Sequence, residues 1–213
     1  MFLLIDKPKG ITSHDVVDEV RKITAEKRVG HAGTLDPNAT GLLIIGVGRD
    51  STKHLGKIAK DTKKTYEAEI YLGEERDTDD REGVVVKKSK GVLPPEEVEI
   101  RLILTTFLGE QEQTPPVYSA IKIKGKKAYE LARKGKKVDI KPREIVVYSI
   151  KVVDYKYPLL KIKTTVSSGT YIRALARDVG KRLGMGAYLK NLKRTKIGEF
   201  DLKEAVKLKD LKI

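Results

Sequence analysis

The segment KTYEAEIYL, residues 64–72, alternates strictly between two kinds of side chain, and this pattern constrains the fold more than any other in the chain. In an extended strand, Tyr66, Ala68, Ile70 and Leu72 share one face, while mostly polar side chains share the other. A strand with one wet face is typical of an antiparallel sheet, whereas the strands of parallel sheets are buried on both faces. The pattern therefore predicts an antiparallel strand.

Further periodic segments extend this prediction along the chain. Strands are predicted for FLLID, LLIIGV, VVVKK, EIVVYSIKVVDY, LLKIKTTV and residues 188–197. Helices are predicted for TSHDVVDEVRKITA with Ser13 as its N-cap, for PPEEVEIRLILTTF, for TYIRALARDVGKRL, and for short segments at 51–60 and 201–207. Many strands with few β-α-β units indicate an α+β fold with a mixed, mostly antiparallel sheet flanked by helices.

The net charge points to a polyanionic partner. The 213 residues include 44 Lys and Arg against 30 Asp and Glu, a formal charge of +14. Nucleic acid is the commonest partner of such a chain, because Lys and Arg neutralise its phosphates. A Lys-rich surface that only keeps the protein soluble is the alternative interpretation.

Residue usage also bears on the environment of the protein. Without any Cys, neither a disulfide nor a thiolate metal site can form. The apolar start FLLI is too short for a signal peptide or a membrane span, so we expect a soluble, cytoplasmic protein. Asn, Gln and Met occur twice each while Lys and Glu abound, a bias typical of thermophiles.

The stretch GHAGTLDPNATG, residues 30–41, holds His31 and Asp36 among three glycines and a proline. An Asp-Pro pair in a glycine-rich loop usually forms a turn in which the carboxylate binds nearby backbone amides. A catalytic carboxylate is the alternative, because the stretch is more constrained than a simple connection requires. For His31, a hydrogen bond within the loop, a general base and an RNA contact all remain open.

Arg173 falls in the first turn of its predicted helix, where the helix dipole disfavours a cation by about 0.3 to 1 kcal/mol. A carboxylate or a phosphate often holds such a residue. Since an aspartate beside an arginine stays ionised even when buried, Asp36 with Arg173 would form a reactive carboxylate that needs no metal. A structural salt bridge is the alternative. Tyr66 is either an ordinary core tyrosine or a ring that stacks on an extruded base.

Other kinds of site find little support. His31 has no neighbouring Ser, Cys or further ligand, which disfavours a catalytic triad and a zinc site. The stretch RDTDDREG, residues 76–83, lacks the final Glu of a calcium loop and is predicted to form an exposed acidic turn with a structural role. GVGRDSTK fits neither glycine-rich phosphate motif, so we expect no nucleotide cofactor and no metal.

Taken together, the segments resemble the TruB family of pseudouridine synthases. DKPKGITSHDVV is similar to the N-terminal motif of that family, and GHAGTLDPNATGLL to its signature GHxGTLDPxAxGxL. KTYEAEIYLGEERDTDDREG resembles its K-x-Y strand and acidic turn, TPPVYSAIKIKGKKAYELARKG its mobile RNA-clamping segment, and SSGTYIRALARDVG its late arginine motif. Five motifs in this order cover almost the whole chain, which makes the resemblance specific.

The resemblance implies a pseudouridine synthase catalytic fold over residues 1–213, with residues 111–142 as a basic, mobile RNA-clamping insertion. Family members usually continue into a small C-terminal domain of the PUA type. This chain stops at KLKDLKI, so we expect that domain to be missing.

The resemblance also implies catalytic roles. Asp36 would be the essential aspartate, which attacks the sugar or the base. Tyr66 would stack on the target uracil and act as the base in the late proton transfer, and Arg173 would pair with Asp36.

Further residues are implied to bind the substrate. Tyr171 and Leu192 would line the uridine pocket, and His31 would enter the RNA loop in place of the flipped nucleotide. Such enzymes convert the T-loop uridine of tRNA, position 55, to pseudouridine. We therefore expect a monomer that binds the T-arm of tRNA and needs no cofactor. The alternatives are a guide-RNA-dependent pseudouridine synthase and a non-catalytic protein that binds or folds tRNA.

We predict that residues 111–142 are mobile in the free protein, because the segment is basic and glycine-punctuated and has few apolar anchors. In hydrogen-exchange mass spectrometry its backbone amides should exchange faster than those of residues 64–72. Uniformly strong protection across the segment would contradict this prediction.

Overall fold

The computed structural model describes residues 1–119, 121–123, 125–134 and 138–212. Residues 120, 124 and 135–137 of the predicted insertion lie outside the described residues. The chain divides into two compact units. Unit 1 comprises residues 1–67, 165–168 and 191–213, and unit 2 comprises residues 68–164 and 169–190.

The strands are numbered along the chain. They are β1 (Phe2–Lys7), β2 (Val29–Ala32), β3 (Thr40–Val47), β4 (Lys64–Leu72), β5 (Glu74–Arg76), β6 (Val85–Lys88), β7 (Gly109–Gln113), β8 (Lys122–Ile123), β9 (Lys126–Lys127), β10 (Arg143–Lys156), β11 (Leu159–Val166), β12 (Ala187–Ile197), β13 (Phe200–Asp201) and β14 (Val206–Lys207).

The helices are fewer and mostly short. They are α1 (Ser13–Thr24), α2 (Arg49–Thr52), α3 (Leu55–Asp61), α4 (Glu97–Thr105), α5 (Ala128–Arg133) and α6 (Ile172–Arg182), with 3-10 turns at Leu202–Glu204 and Leu208–Asp210. None of the helices in the described part of the chain is long and apolar enough to span a membrane.

Strand β3 is the centre of unit 1. It pairs antiparallel with β1 and β2 and parallel with β12, while β14 pairs parallel with β1. Its side chains alternate between two apolar clusters: Leu43, Ile45 and Val47 pack with the apolar face of α1, and Leu42 and Ile44 pack in a second cluster with Leu55. Burial on both faces explains why the strand is a continuous apolar run, and it confirms the prediction for LLIIGV.

Helix α1 begins one residue earlier than predicted, with Thr12 rather than Ser13 as its N-cap. The Thr12 hydroxyl accepts from the backbone N–H of Asp15 at 3.0 Å, and the Asp15 carboxylate accepts from the backbone N–H of Thr12 at 2.7 Å. This capping box leaves the Ser13 hydroxyl available for a tertiary contact.

The helix predicted at 201–207 is wrong in its second half. Asp201 accepts from the backbone N–H of Lys203 at 3.0 Å and starts only a 3-10 turn, Leu202–Glu204. Val206 and Lys207 then pair with Ile5 and Asp6 as strand β14. Seven residues are too few for an isolated helix to offset the cost of nucleation, so a strand edge that can pair them decides the conformation.

Strands β4 and β12 each contribute residues to both units, and within unit 2 strand β10 pairs antiparallel with β7. Strands β5 and β6 form a separate antiparallel pair. The mostly antiparallel pairing, with parallel contacts at β1–β14 and β3–β12, confirms the predicted α+β class and mixed sheet.

The first three residues of the predicted insertion lie in a regular strand. Residues 111–113 form the end of β7 and pair with residues 143–145 of β10. Among the described residues beyond them, β8 pairs antiparallel with β9, and α5 follows directly. The irregular part of the segment therefore starts at Thr114.

We expect Thr12→Ala to lower the free energy of unfolding by about 1 kcal/mol, because it removes the side-chain half of the capping box. Chemical denaturation at neutral pH would measure the loss. Thr105→Ala is the control: its exposed hydroxyl donates to the carbonyl of Leu102 within α4, and we expect a change within about 0.5 kcal/mol. Equal losses in the two variants would contradict the role of the cap.

Candidate active site

In unit 1, the loop at residues 30–41 is fixed by buried polar side chains. The Ser13 hydroxyl donates to the carbonyl of Leu35 at 3.1 Å and accepts from its N–H at 2.8 Å. The Lys7 ammonium donates to the carbonyls of Pro37, Ile11 and Pro8 at 3.1, 2.7 and 2.9 Å. These bonds fix the backbone on both sides of Asp36.

Arg194 of β12 fixes both ends of the same loop. Its guanidinium donates to the carbonyl of Leu42 at 2.8 Å and to that of Gly33 at 3.0 Å. Gly41 permits the close approach, since a Cβ built there would lie 2.3 Å from the Arg194 carbonyl oxygen and the residue has φ +99°. Arg194 is 1% exposed, so it is a structural clamp rather than a surface cation.

Asp36 is half-buried within this loop, and its carbonyl accepts from the N–H of Ala39 at 3.0 Å. The buried Lys7 is its electrostatic neighbour. Burial lowers the pKa of Lys7 to about 8; the attraction of Asp36 opposes this shift, and the positive charge of Arg194 adds to it. Asp36 thus lies in a fixed backbone turn close to a buried cation.

A second buried lysine, Lys64, lies at the start of β4. Its ammonium donates to the carbonyls of Ala59 and Thr62 at 2.8 and 2.9 Å. Burial, assisted by Arg194, lowers its pKa to about 8. The sequence analysis assigned no role to Lys7, Lys64 or Arg194. The feature that could have identified them is a single cation at the end or in the middle of a predicted strand.

His31 lies in β2, opposite Ile45 of β3. Burial lowers its pKa, and the positive charge of Arg194 lowers it further, so both effects favour the neutral imidazole. In the described part of the chain, its Nδ1 atom is buried and has no hydrogen-bond partner.

Tyr66 and Leu192 lie in unit 1 on neighbouring sheet strands. Tyr66 is 7% exposed, on the buried face of β4 as predicted. Thr65, before it, is fixed by hydrogen bonds with the hydroxyls of Thr165 and Thr195 at 3.0 and 3.3 Å. The Leu192 carbonyl accepts from the Thr40 hydroxyl at 3.4 Å, which brings Leu192 to the end of the Asp36 loop.

Tyr171 and Arg173 belong to unit 2, at the start of α6. Tyr171 is the N-cap residue, and the amide of buried Gln113 both donates to its carbonyl at 3.1 Å and accepts from its N–H at 2.8 Å. The sequence analysis missed Gln113. Its signal was weak, a single amide at the end of a charged strand.

Arg173 has a carboxylate partner within unit 2. Its Nη1 atom lies 3.3 Å from Oδ2 of Asp80 and donates to the carbonyl of Thr78 at 3.2 Å. Its Nη2 atom donates to the carbonyl of Tyr118 at 3.2 Å. A carboxylate therefore offsets the unfavourable helix-dipole position of this arginine, as anticipated, and Asp80 supplies one.

The acidic turn at residues 76–83 is less exposed than predicted. Asp79 and Asp80 are partly buried, and Asp79 Oδ2 lies 2.9 Å from Arg177 Nη1. Burial raises the pKa of Asp79 to about 6, although Arg177 and Arg173 oppose the shift. These two carboxylates form ion pairs with Arg173 and Arg177 of α6. The sequence could not reveal this pairing, because about 95 residues separate the partners. No group of three His, Asp or Glu side chains suited to a metal occurs among the described residues.

Comparison with known proteins identifies relatives of this chain. A family model described as TruB family pseudouridylate synthase (N terminal domain) matches residues 21–172, and one described as tRNA pseudouridylate synthase B C-terminal domain matches residues 173–213. Relatives named tRNA pseudouridine synthase B from Aquifex aeolicus and Clostridium kluyveri are each 46% identical over 98% of this chain, which covers 72% and 71% of their lengths.

Two solved structures share the fold. One is a chain of a Cbf5-Nop10-Gar1 complex, with TM-score 0.75 and 29% identity over 99% of this chain and 53% of that chain. The other belongs to an H/ACA RNP bound to a substrate RNA containing 2′-deoxyuridine, with TM-score 0.73 and 27% identity over 99% of this chain and 51% of that chain. The protein spans about half the length of these solved chains. The matches confirm the pseudouridine synthase fold that the sequence resemblance implied.

The two buried lysines predict a stability that rises in alkaline solution. The unfolded chain keeps the Lys7 and Lys64 protons up to a pKa of 10.5, while the folded protein releases them near a pKa of about 8. Between these values the unfolded state binds more protons, so the free energy of unfolding should rise by roughly 1 kcal/mol per lysine between pH 7.5 and 9.

Urea denaturation at these two pH values tests this expectation. Lys64→Met should reduce the rise by about half, whereas Lys22→Met, which changes a side chain of α1 that is 75% exposed, should leave it unchanged. An identical rise in the wild type and in Lys64→Met would contradict the pKa assignment.

Proposed function

Because the chain belongs to the TruB family of pseudouridylate synthases, we propose that it isomerises uridine to pseudouridine at position 55, in the T-loop of tRNA, with Asp36 as the catalytic carboxylate. One observation carries the proposal: 46% of residues are shared with proteins named tRNA pseudouridine synthase B over almost the whole chain. The net charge of +14 supports a polyanionic substrate.

The reaction is an isomerisation, which determines what the residues must do. The bond from ribose C1′ to uracil N1 breaks, a bond from C1′ to C5 forms, the C5 hydrogen leaves as a proton, and N1 gains a proton. No electrons are gained or lost, so the chemistry requires a positioned nucleophile and a proton acceptor. In the proposal, Asp36 attacks the sugar or the base, and Tyr66 stacks on the uracil and accepts the C5 proton.

The surroundings of Asp36 support the role of nucleophile. Ser13, Lys7 and Arg194 fix the loop backbone before the substrate arrives, which reduces the entropy lost on reaching a reactive geometry. The buried Lys7 ammonium lies close enough to Asp36 for the two charges to interact. Arg173 is proposed to pair with Asp36, as the family resemblance implies.

A uridine in a tRNA loop must leave its stack to react, at a cost of a few kcal/mol. We propose that His31 enters the vacated position, and that Tyr171 and Leu192 line the uridine pocket. The lowered pKa of His31 supports this role, because it favours the uncharged imidazole, which is less costly to desolvate among bases. A cytoplasmic location and a monomeric state stay predictions.

Guide-RNA-dependent modification is a second candidate function, favoured by the likeness to the Cbf5 and H/ACA RNP chains. The lower identity of those chains, 27–29% against 46%, supports the guide-independent reaction instead. An assay without any guide separates the two functions.

The first experiment measures tritium released from C5 of uridine in an unmodified tRNA transcript, without guide RNA. The wild type should release tritium, and Asp36→Asn should be slower by at least about 10³-fold, because the amide cannot act as the nucleophile. Asp50→Asn removes a carboxylate that is 94% exposed on α2, and we expect it to match the wild type. A transcript with cytidine at position 55 should release nothing.

Each other outcome has a clear meaning. Equal release by the wild type and Asp36→Asn would contradict the role of the carboxylate. Release from the position-55 variant would assign another target uridine. Tight binding without release by any variant would favour the non-catalytic tRNA-binding function or a guide-dependent enzyme.

A further inference from the structure

Arg177 of α6 makes contacts in unit 2 that the reaction proposed above does not use. It lies one helical turn after Arg173, so both side chains project from the same face of α6. Its Nη1 atom donates to Asp79 Oδ2, its Nη2 atom to the carbonyl of Thr114, and its Nε atom to Asp178 Oδ1, each at 2.9 Å. The guanidinium thus joins three segments of the chain.

Asp79 is a fixed partner rather than a flexible surface carboxylate. Its backbone has φ +60°, a conformation that L residues rarely adopt, and only 14% of its side chain is exposed. Its N–H donates to the carbonyl of Arg76 at 3.1 Å, and its carbonyl accepts from the N–H of Leu189 at 2.9 Å. The acidic turn therefore presents this carboxylate to Arg177 at a set position.

Thr114 is the first residue after β7. It begins the basic segment, defined as residues 114–142. Pro115 and Pro116 follow it, and proline fixes φ at both positions. The two fixed φ angles reduce the conformational freedom of the chain between Thr114 and Tyr118. The Tyr118 carbonyl is a hydrogen-bond acceptor of Arg173.

The two arginines consequently bind the same two segments in parallel. Arg173 contacts the acidic turn at Thr78 and Asp80 and the basic segment at Tyr118. Arg177 contacts the acidic turn at Asp79 and the basic segment at Thr114. Neither segment can move at the Arg177 end without disturbing contacts of Arg173.

We propose that Arg177 is a positioning residue of the enzyme: by bridging Asp79 and the Thr114 carbonyl, it anchors the root of the basic segment and sets the position of Arg173. The inference rests on the proposed function, in which Arg173 pairs with Asp36. The bridge needs a fork with two separate donors, and only arginine supplies one. A lysine keeps the charge beside Asp79 but cannot bond both partners in the same geometry.

The test compares Arg177→Gln, Arg177→Lys and Asp79→Asn with a control. Asn tolerates the positive φ of residue 79 and keeps the side-chain shape. Arg101→Gln is the matched control, since it removes one positive charge from an exposed side chain of α4 that pairs with Glu97 of the same helix. Circular dichroism verifies that each variant folds; if Arg177→Gln does not, Asp79→Asn tests the bridge from its other end.

Two measurements are made on each variant. Hydrogen exchange of the free protein should show faster exchange of residues 114–119 in both Arg177 variants than in the wild type and Arg101→Gln. Single-turnover pseudouridine formation should slow by about tenfold or more in both Arg177 variants, with the tRNA concentration for half-maximal rate changed less than threefold, since a misplaced catalytic group affects the chemical step.

Several results would overturn the inference. Restoration of both exchange and rate by Arg177→Lys would reduce the role of Arg177 to its charge. A higher half-maximal tRNA concentration with an unchanged rate would make Arg177 an RNA contact. Unchanged exchange at residues 114–119 would remove the anchor. Since exchange is measured without RNA, it tests the anchor even if the wild type proves inactive, which would refute the proposed function separately.

Discussion

Buried cations that bind backbone carbonyls are the interaction on which unit 1 depends. Arg194 and Lys7 are almost fully buried; Arg194 donates to carbonyls at both ends of the Asp36 loop, and Lys7 donates to the carbonyl of Pro37 within it. Burying such groups is costly, and it is tolerated only because each donor finds an acceptor. The cost appears in the lowered pKa of Lys7, and the benefit is a loop that cannot relax away from β3. The backbone that carries Asp36 is therefore fixed although the residue is only half-buried.

In unit 2, buried charges are stabilised by charges of the opposite sign. Arg173 and Arg177 project from one face of α6 and meet the carboxylates of Asp80 and Asp79. Opposite charges offset the burial of both groups, so the turn and the helix stabilise each other. The same arginines bind carbonyls of the basic segment. One cluster of side chains therefore connects α6, the acidic turn and the basic segment.

Local patterns in the sequence predicted most strands and the main helices, because alternation and helical periodicity are set by which faces are buried. The predictions for LLIIGV and for the buried face of β4 are confirmed for this reason. The predictions that proved wrong concern competition between neighbours. Thr12 rather than Ser13 caps α1 because Ser13 binds Leu35, and residues 206–207 pair with β1 instead of extending a helix.

Residue types in a fixed order along the chain were enough to identify the family and the α+β class. The same order identified Asp36, Tyr66 and Arg173 as candidate catalytic residues. The side chains that fix the surrounding backbone could be identified only in the folded protein. Four of these side chains look like ordinary polar residues in the sequence: Lys7, Lys64, Arg194 and Gln113. The acidic pair Asp79 and Asp80 looks like part of an exposed turn. Their roles depend on partners that are as many as 161 residues away along the chain, such as Gly33 for Arg194. Burial and pairing at that separation arise only when the sheet brings the segments together.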